Sequence, residues 1–180
     1  MTWRRKDVSV KKNIFLIGFM GCGKSTIASA LCNDYNMQVI EMDQIISERE
    51  KMSIPEIFEK NGETYFRDLE SNLVKEIQNA ENQVVSSGGG VILREENVKE
   101  MKKNGCVVLL TARPETILER VKDDENRPLL KGRKTVQGIS ELMENRRAKY
   151  EAAADIVIHT DDKSVKDICQ EIITKLEEGE

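Results

Sequence analysis

One stretch of eight residues limits most strongly what this chain can fold into. Residues 18–25 (GFMGCGKS) match the pattern G-x-x-x-x-G-K-[ST] at every fixed position. An apolar run at residues 13–18 ends at this stretch, and apolar residues at helical spacing follow it from Lys24. Glycines in such a turn let backbone N–H groups face phosphate oxygens, and the start of a helix adds partial positive charge. The motif therefore predicts a strand, a phosphate loop and a helix in succession, and the binding of a nucleoside triphosphate.

Two side chains of the motif have expected roles toward a nucleotide. Lys24 is placed to reach the β- and γ-phosphates as a point charge, and the Ser25 hydroxyl is placed to ligate Mg²⁺. The chain contains no NKxD sequence of the kind that reads guanine, so ATP is the expected nucleotide. The loop residues expected to bind it are Gly21, Cys22, Gly23, Lys24, Ser25 and Thr26.

Short apolar runs alternate with amphipathic segments along the rest of the chain. Strands are predicted at residues 13–18, 38–41, 83–86, 106–111 and 155–159. Helices are predicted at residues 24–34, 43–51, 64–79, 94–103, 114–122, 135–153 and 163–176. Ser53 and Glu56 form a capping box that predicts one more helix, which Asn61 and Gly62 break. This alternation predicts an α/β chain with a parallel sheet between two layers of helices, and such sheets bind ligands beyond the carboxyl ends of their strands.

Length, charge and cysteine content narrow the class of protein. A chain of 180 residues is expected to form one domain, here residues 13–180, after a flexible basic tail at residues 1–12. The formal net charge of −4 argues against a general nucleic-acid binder. Four cysteines without a CxxC pair, beside a single histidine, do not make a zinc site, and no segment approaches the roughly 20 apolar residues of a membrane span. We therefore expect a cytoplasmic monomer with free thiols that binds neither nucleic acid nor membrane.

The remaining unusual residues are acidic residues, arginines and a run of glycines that follow strands or lie between them. In chain order they are Glu41, Asp43, Arg67, Glu70, Gly88, Gly89, Gly90, Arg127 and Arg146. Together with the phosphate loop, this set resembles the shikimate kinase family in order and spacing from about residue 13 to about residue 176. The resemblance implies the three-layer αβα P-loop kinase fold, with a five-stranded parallel sheet and a mobile lid at about residues 123–134.

The resemblance also implies a reaction, which is the ATP-dependent phosphorylation of the 3-hydroxyl of shikimate on the route to chorismate and the aromatic amino acids. The residues that match the family's catalytic positions are Lys24, Asp43 and Arg127. The residues that match its shikimate-binding positions are Asp43, Arg67, Glu70, Gly88, Gly89, Gly90 and Arg146. Further ATP contacts are implied for Arg120, Arg127 and Lys163. Magnesium is implied at Ser25 and at Glu41, the latter through a bound water.

The residue types suit these roles. A guanidinium fork matches a carboxylate with two parallel hydrogen bonds, which is what Arg67 and Arg146 offer to the shikimate carboxylate. Glu70 lies one helical turn beyond Arg67 and can hold that side chain in place. Asp43 can orient the attacking hydroxyl or accept its proton, and the residue pattern leaves both roles open.

The chain departs from the usual family pattern at three places. Glu41 stands where the family usually has aspartate, the third strand ends in Ser86 and Ser87 without an acidic residue, and the turn at residues 161–164 lacks the family's proline. The alternatives are another small-molecule kinase, acting on gluconate or a nucleoside monophosphate, and a regulatory module that binds a nucleotide without phosphotransfer.

Taken singly, several of these residues have a purely structural interpretation. An arginine and a glutamate one turn apart, such as Arg67 and Glu70, are typical of a solvated helix surface. A run of three glycines is typical of a flexible loop, and Asp43 alone is typical of a helix N-cap.

Overall fold

The computed structural model describes residues 12–123, 130 and 132–179, which form five strands and seven α-helices. The strands are β1 (Asn13–Ile17), β2 (Gln38–Glu41), β3 (Gln83–Ser86), β4 (Gly105–Thr111) and β5 (Ile156–His159). The helices are α1 (Lys24–Tyr35), α2 (Met42–Glu50), α3 (Ile54–Ile77), α4 (Glu95–Met101), α5 (Pro114–Val121), α6 (Val136–Ala153) and α7 (Val165–Glu178). The sequence pattern did not predict the short 3₁₀ turn, Val91–Leu93, that precedes α4.

All five strands run parallel in one sheet, in the order β2-β3-β1-β4-β5. β1 is the central strand, with Phe15 in register with Val85 on one side and with Val107 on the other. Every residue of β1 is buried, as expected for a parallel strand that helices cover on both faces. The predicted parallel α/β sheet is therefore confirmed, and the loop after β1 lies in the middle of its carboxyl edge.

Successive side chains of β1 point to opposite faces of the sheet. Since all of them are buried, helices cover both faces. Ile14 belongs to a buried cluster that includes residues of α1, α5 and α7. Phe15 belongs to a second cluster, which includes residues of α2, α3 and α4. α6 contributes to both, with Ile139 in the first cluster and Tyr150 in the second. The result is the three-layer αβα arrangement.

Helix α3 shows both features predicted for its first half. At its start, the Ser53 backbone N–H donates to Glu56 Oε2 at 2.8 Å, and the Glu56 backbone N–H donates to Ser53 Oγ at 3.4 Å. The predicted break is a kink inside the helix, where Gly62 has a φ of 84° and a ψ of 170°. The second half of α3, beyond this kink, carries Arg67 and Glu70.

The predicted tail and lid are described only in part. Residues 1–11 lie outside the described residues, as do residues 124–129 and 131, which include Arg127. Leu130 is fully buried in the same cluster as Ile139, which attaches this point of the chain to the core. Among the described residues, no helix combines the length and the apolar character that crossing a membrane requires.

Candidate active site

The phosphate loop connects β1 to α1 with a backbone that only glycine adopts readily. Gly18 has a φ of 143°, and a Cβ at this position would collide with the carbonyl oxygen of Leu110 on β4. Gly23 is the N-cap of α1, and no side chain caps the helix there. The N-cap residue thus supplies no side-chain acceptor to the N–H groups of the first turn, which favours an anion site at this helix start.

Lys24 lies over this loop. Its Nζ donates to the carbonyl oxygen of Gly18 at 2.8 Å and to that of Phe19 at 3.2 Å. Arg120 on α5 also contacts the loop, with its Nη1 donating to the carbonyl oxygen of Gly21 at 3.0 Å. Two cationic side chains therefore contact the loop backbone where the sequence predicts phosphate.

Three side-chain oxygens meet beside the start of α1. The Ser25 hydroxyl donates to Glu41 Oε2 at 3.0 Å and lies 3.3 Å from the Ser86 hydroxyl at the end of β3. The longer side chain of Glu41 thus reaches Ser25. Hydroxyl and carboxylate oxygens are suitable ligands for Mg²⁺. This ion commonly binds only one or two protein carboxylates and completes its coordination shell with phosphate and water. The residues predicted to hold Mg²⁺ fit that ion, and Ser86 is a neighbour that the sequence pattern did not assign to it.

The glycine turn, residues 88–90, follows β3 and contacts both predicted carboxylate-binding arginines. A Cβ on Gly90 would overlap the Arg67 guanidinium, and a Cβ on Gly89 would lie 3.9 Å from Arg146 Nη1. Arg146 Nη1 also donates to the carbonyl oxygen of Gly89 at 3.3 Å. The two guanidinium groups therefore lie against consecutive residues of one turn, which is the arrangement an acid pocket needs.

Arg67 is held by two carboxylates. Its Nη1 donates to Glu70 Oε2 at 2.6 Å, and its Nη2 donates to Glu63 Oε1 at 3.0 Å. Its side chain is only 12% exposed, and that of Glu70 is fully buried. Burial lowers the pKa of Arg67, but the two carboxylates outweigh it and hold the pKa above its usual value. The interpretation of Arg67 and Glu70 as a solvated pair is therefore wrong.

Glu70 carries the most perturbed carboxyl group at this edge of the sheet. Burial raises its pKa to about 7 although Arg67 acts in the opposite direction, and the Asp43 carboxylate raises it further. Glu70 Oε1 is buried and has no hydrogen-bond partner among the described residues. The sequence predicted the pairing with Arg67 but not the burial that dominates the pKa.

Asp43 lies beside the same turn. A Cβ on Gly88 would lie 2.9 Å from Asp43 Oδ1 and 2.5 Å from Glu70 Oε1, so both carboxyl groups face this glycine. The N-cap of α2 is Glu41, and Asp43 is in the first turn, so the interpretation of Asp43 as the N-cap is wrong. The structure brings together the predicted acidic residue, the glycine turn and Arg67.

Lys163 is the predicted ATP contact that lies farthest along the chain. It is in the turn between β5 and α7, where its Nζ donates to Glu171 Oε2 at 2.5 Å. The same turn is tied to α5, because Asp161 accepts hydrogen bonds from the backbone N–H of Arg113 at 3.0 Å and from the Thr116 hydroxyl at 2.6 Å. An adenine-side role for Lys163 stays a prediction.

Sequence reasoning missed Tyr150. Its hydroxyl donates to the carbonyl oxygen of Gly89 at 2.6 Å, from a side chain that is almost fully buried. The signal that would have found it is its spacing of four residues from Arg146, which places both on the same face of α6.

Comparison with known proteins decides the family. A family model described as shikimate kinase matches residues 20–177. The chain belongs to the shikimate kinase family. The shikimate kinase of Sulfurihydrogenibium sp. (strain YO3AOP1) is 45% identical to it over 165 residues, which cover 92% of this chain and 98% of that protein.

Solved shikimate kinases share its fold. The enzyme from Acinetobacter baumannii, solved in complex with shikimate, matches with a TM-score of 0.89 at 31% identity, over 98% of each chain. The enzyme from Aquifex aeolicus vf5 matches with a TM-score of 0.78 at 42% identity, over 92% of this chain and 96% of that chain. The family and fold predicted from the sequence motifs are thereby confirmed.

Proposed function

We propose that this chain transfers the γ-phosphate of ATP to the 3-hydroxyl of shikimate and releases shikimate 3-phosphate and ADP. The observation that carries this proposal is the approach of the Arg67 and Arg146 guanidinium groups to consecutive glycines beside the phosphate loop. A Cβ on Gly89 would lie 3.8 Å from the Gly18 carbonyl oxygen, so the acid pocket and the phosphate loop are neighbours. Donor and acceptor substrates would therefore meet at one edge of the sheet.

The shikimate carboxylate is assigned to Arg67 and Arg146. Two guanidinium groups supply directed, charge-assisted hydrogen bonds to a planar carboxylate. The ion pairs to Glu63 and Glu70 hold Arg67 in one orientation before the substrate arrives, which reduces the entropy lost on binding. On the buried side of the pocket, a Cβ at Gly88 would displace the Glu70 and Asp43 carboxyl groups, and a Cβ at Gly90 would displace the Arg67 guanidinium.

The reacting hydroxyl is assigned to Asp43. Its carboxylate lies next to Gly88, on the same turn as the arginines, so a ring whose carboxylate contacts Arg67 presents its hydroxyls toward Asp43. A carboxylate there orients the hydroxyl oxygen toward the phosphate loop and can accept its proton. The rate gain comes chiefly from holding the two reacting groups in line, since phosphoryl transfer needs little covalent assistance.

The nucleotide is assigned to the phosphate loop. Lys24 would exchange its loop carbonyl partners for phosphate oxygens, and Arg120 would lie against the adenine, with Lys163 near it. Ser25 and Glu41 are placed to hold Mg²⁺, which when bound supplies neutralisation of phosphate charge. Arg127, outside the described residues, is assigned to the charge on the γ-phosphoryl group by family resemblance.

The cellular setting belongs to the same proposal. Residues 13–180 would form one kinase domain that acts as a cytoplasmic monomer, without binding nucleic acid or membranes. The four cysteines, Cys22, Cys32, Cys106 and Cys169, are free thiols, as a reducing compartment favours. Burial raises the pKa of Cys169 to about 12, which keeps this thiol protonated and unreactive.

A coupled assay of ADP release tests the acceptor. Shikimate should stimulate ADP release strongly, while gluconate and nucleoside monophosphates should not. Arg146→Ala should raise the KM for shikimate by about 10- to 100-fold, because it removes a charge-assisted pair to the carboxylate. Arg147→Ala is the matched control, since Arg147 is exposed and pairs with Glu144 and Glu151 on its own helix. Absence of shikimate-dependent ADP from the unaltered chain would reject the proposed function.

A further inference from the structure

Tyr150 and Arg146 share one acceptor. Both side chains leave the same face of α6 and donate to the carbonyl oxygen of Gly89, the tyrosine hydroxyl at 2.6 Å and Arg146 Nη1 at 3.3 Å. The first distance is that of a strong O–H···O bond, and the second lies beyond the usual range for N–H···O bonds. The carbonyl is therefore satisfied chiefly by the neutral donor.

We propose that Tyr150 is a positioning residue, whose hydroxyl occupies the Gly89 carbonyl and thereby leaves the Arg146 guanidinium available for the carboxylate of the acceptor. This inference rests on the proposed function, because it assigns that carboxylate to Arg146. None of the motifs that carry the family resemblance includes Tyr150.

The Gly89 carbonyl is partly buried and needs a hydrogen-bond donor. Such a group loses free energy when it has no hydrogen-bond donor, so a donor near it is retained. Were the hydroxyl absent, Arg146 would be the donor next to Gly89, and its guanidinium would be drawn onto the turn. The N–H donors that Arg146 presents to the substrate carboxylate would then be turned toward the turn and away from the pocket.

The surroundings of Tyr150 keep its hydroxyl a donor. Burial raises the pKa of Tyr150 to about 12, and Cys22 adds to the increase, although the charge of Arg146, a hydrogen bond with Arg146 and the charge of Arg67 act in the opposite direction. The phenol therefore stays protonated at any pH at which the enzyme would be assayed. A protonated tyrosine has one O–H, and the structure directs it to Gly89.

Tyr150 also fixes the plane of the peptide between Gly89 and Gly90. Because a peptide unit is planar, holding the Gly89 carbonyl fixes the direction of the Gly90 N–H. Gly90 is the residue packed against the Arg67 guanidinium. Arg67 is also held by its ion pairs to Glu63 and Glu70, so the loss of the hydroxyl should act chiefly through Arg146.

The test is Tyr150→Phe, which keeps the ring in its buried site and removes only the hydroxyl. Steady-state kinetics should show a KM for shikimate raised by about tenfold, with kcat and the KM for ATP changed by less than twofold. Tyr35→Phe is the control, because Tyr35 is also buried and its hydroxyl donates to Gln170, between α1 and α7. It should leave all three constants unchanged.

A double-mutant cycle separates positioning from general destabilisation. In an Arg146→Ala background, Tyr150→Phe should change kcat/KM for shikimate by less than twofold, since there is no guanidinium left to release. A tenfold loss in both backgrounds, or no loss in either, would overturn the inference. In a crystal structure of Tyr150→Phe, Arg146 should move to about 2.9 Å from the Gly89 oxygen; an unchanged 3.3 Å separation would contradict the inference.

The two proposals fail separately. If the unaltered chain releases no ADP with shikimate, the proposed function is rejected. If it does release ADP and Tyr150→Phe binds shikimate as well as the unaltered chain, only the role of Tyr150 is rejected.

Discussion

Replacing Glu70 by glutamine should change how the stability of the protein depends on pH. The Glu70 carboxyl is fully buried, and burial raises its pKa from 4.5 to about 7. The folded state therefore holds a proton that the unfolded chain has already released between these two pH values. Each unit of pKa difference corresponds to about 1.4 kcal/mol, so the carboxyl contributes a loss of about 3 kcal/mol in the free energy of unfolding as the pH rises from 4.5 through 7.

The sign follows from the direction of the shift. A carboxyl whose pKa is higher in the folded state contributes stability that is fully present below pH 4.5 and is lost as the pH rises through about 7. Glutamine has a similar shape and does not titrate. We therefore expect the free energy of unfolding of the unaltered chain, minus that of the Glu70→Gln variant, to fall by about 3 kcal/mol from pH 4.5 to pH 8.

Urea denaturation at several pH values measures this difference, because other carboxyl groups titrate in both proteins and largely cancel. Glu76→Gln is the control with the opposite sign. The hydrogen bond from Arg49 holds the pKa of Glu76 below its usual value, so the contribution of Glu76 to the free energy of unfolding is lost toward acid pH. This contribution is small, because both side chains are about half exposed. If the free energies of unfolding of the unaltered chain and of Glu70→Gln differ by an amount that stays constant within about 0.5 kcal/mol from pH 4.5 to pH 8, burial does not dominate the pKa of Glu70.

Three further changes address the site. Gly90→Ala places a Cβ where the Arg67 guanidinium lies, so the KM for shikimate should rise at least tenfold while the KM for ATP stays the same. Gly179→Ala is the control, because a Cβ at Gly179 would make only ordinary contacts. A shikimate KM for Gly90→Ala equal to that of the unaltered chain would contradict the packing argument. Asp43→Asn should keep nucleotide binding, measured by calorimetry, and lower kcat by orders of magnitude; unchanged turnover would remove Asp43 from the mechanism. Arg127→Ala should lower kcat more than it weakens shikimate binding, and equal turnover would place that arginine away from the transferred phosphoryl group.

Local sequence patterns predicted the elements that position the site. The bounds of β2 and β3 agree with the prediction, and the kink at Gly62 and the Ser53 cap occur where glycine and capping-box patterns indicate them. These features depend on a few neighbouring residues, so a short window of sequence contains their cause. The 3₁₀ turn at Val91–Leu93 was missed because its first two residues are held by burial in the core and not by a local helical pattern.

The electrostatics of the site depended on tertiary packing and could not be predicted. The spacing of Arg67 and Glu70 indicated a pair, but a helical pair of this kind is usually exposed. Only the fold shows that Gly88 and Gly90 pack against these side chains and exclude water from the glutamate. The spacing of Tyr150 and Arg146 indicates a shared helix face, but the carbonyl that both contact belongs to a turn 57 residues before Arg146 and 61 residues before Tyr150.

The two substrate sites are joined by backbone, and this determines what a local change can do. The ladder between β1 and β3 continues past β3 through the Ser87 N–H, which donates to the Leu16 carbonyl at 3.1 Å. Two residues beyond Leu16, the Gly18 carbonyl accepts a hydrogen bond from the Lys24 ammonium and lies near Gly89. The phosphate loop therefore extends β1 and the glycine turn extends β3, and these two strands are hydrogen-bonded neighbours. Their separation is set by the sheet. A substitution of Arg67, Arg146 or Tyr150 should therefore change the affinity for the acid without moving the nucleotide, whereas one that spreads β1 from β3 should impair the binding of both substrates.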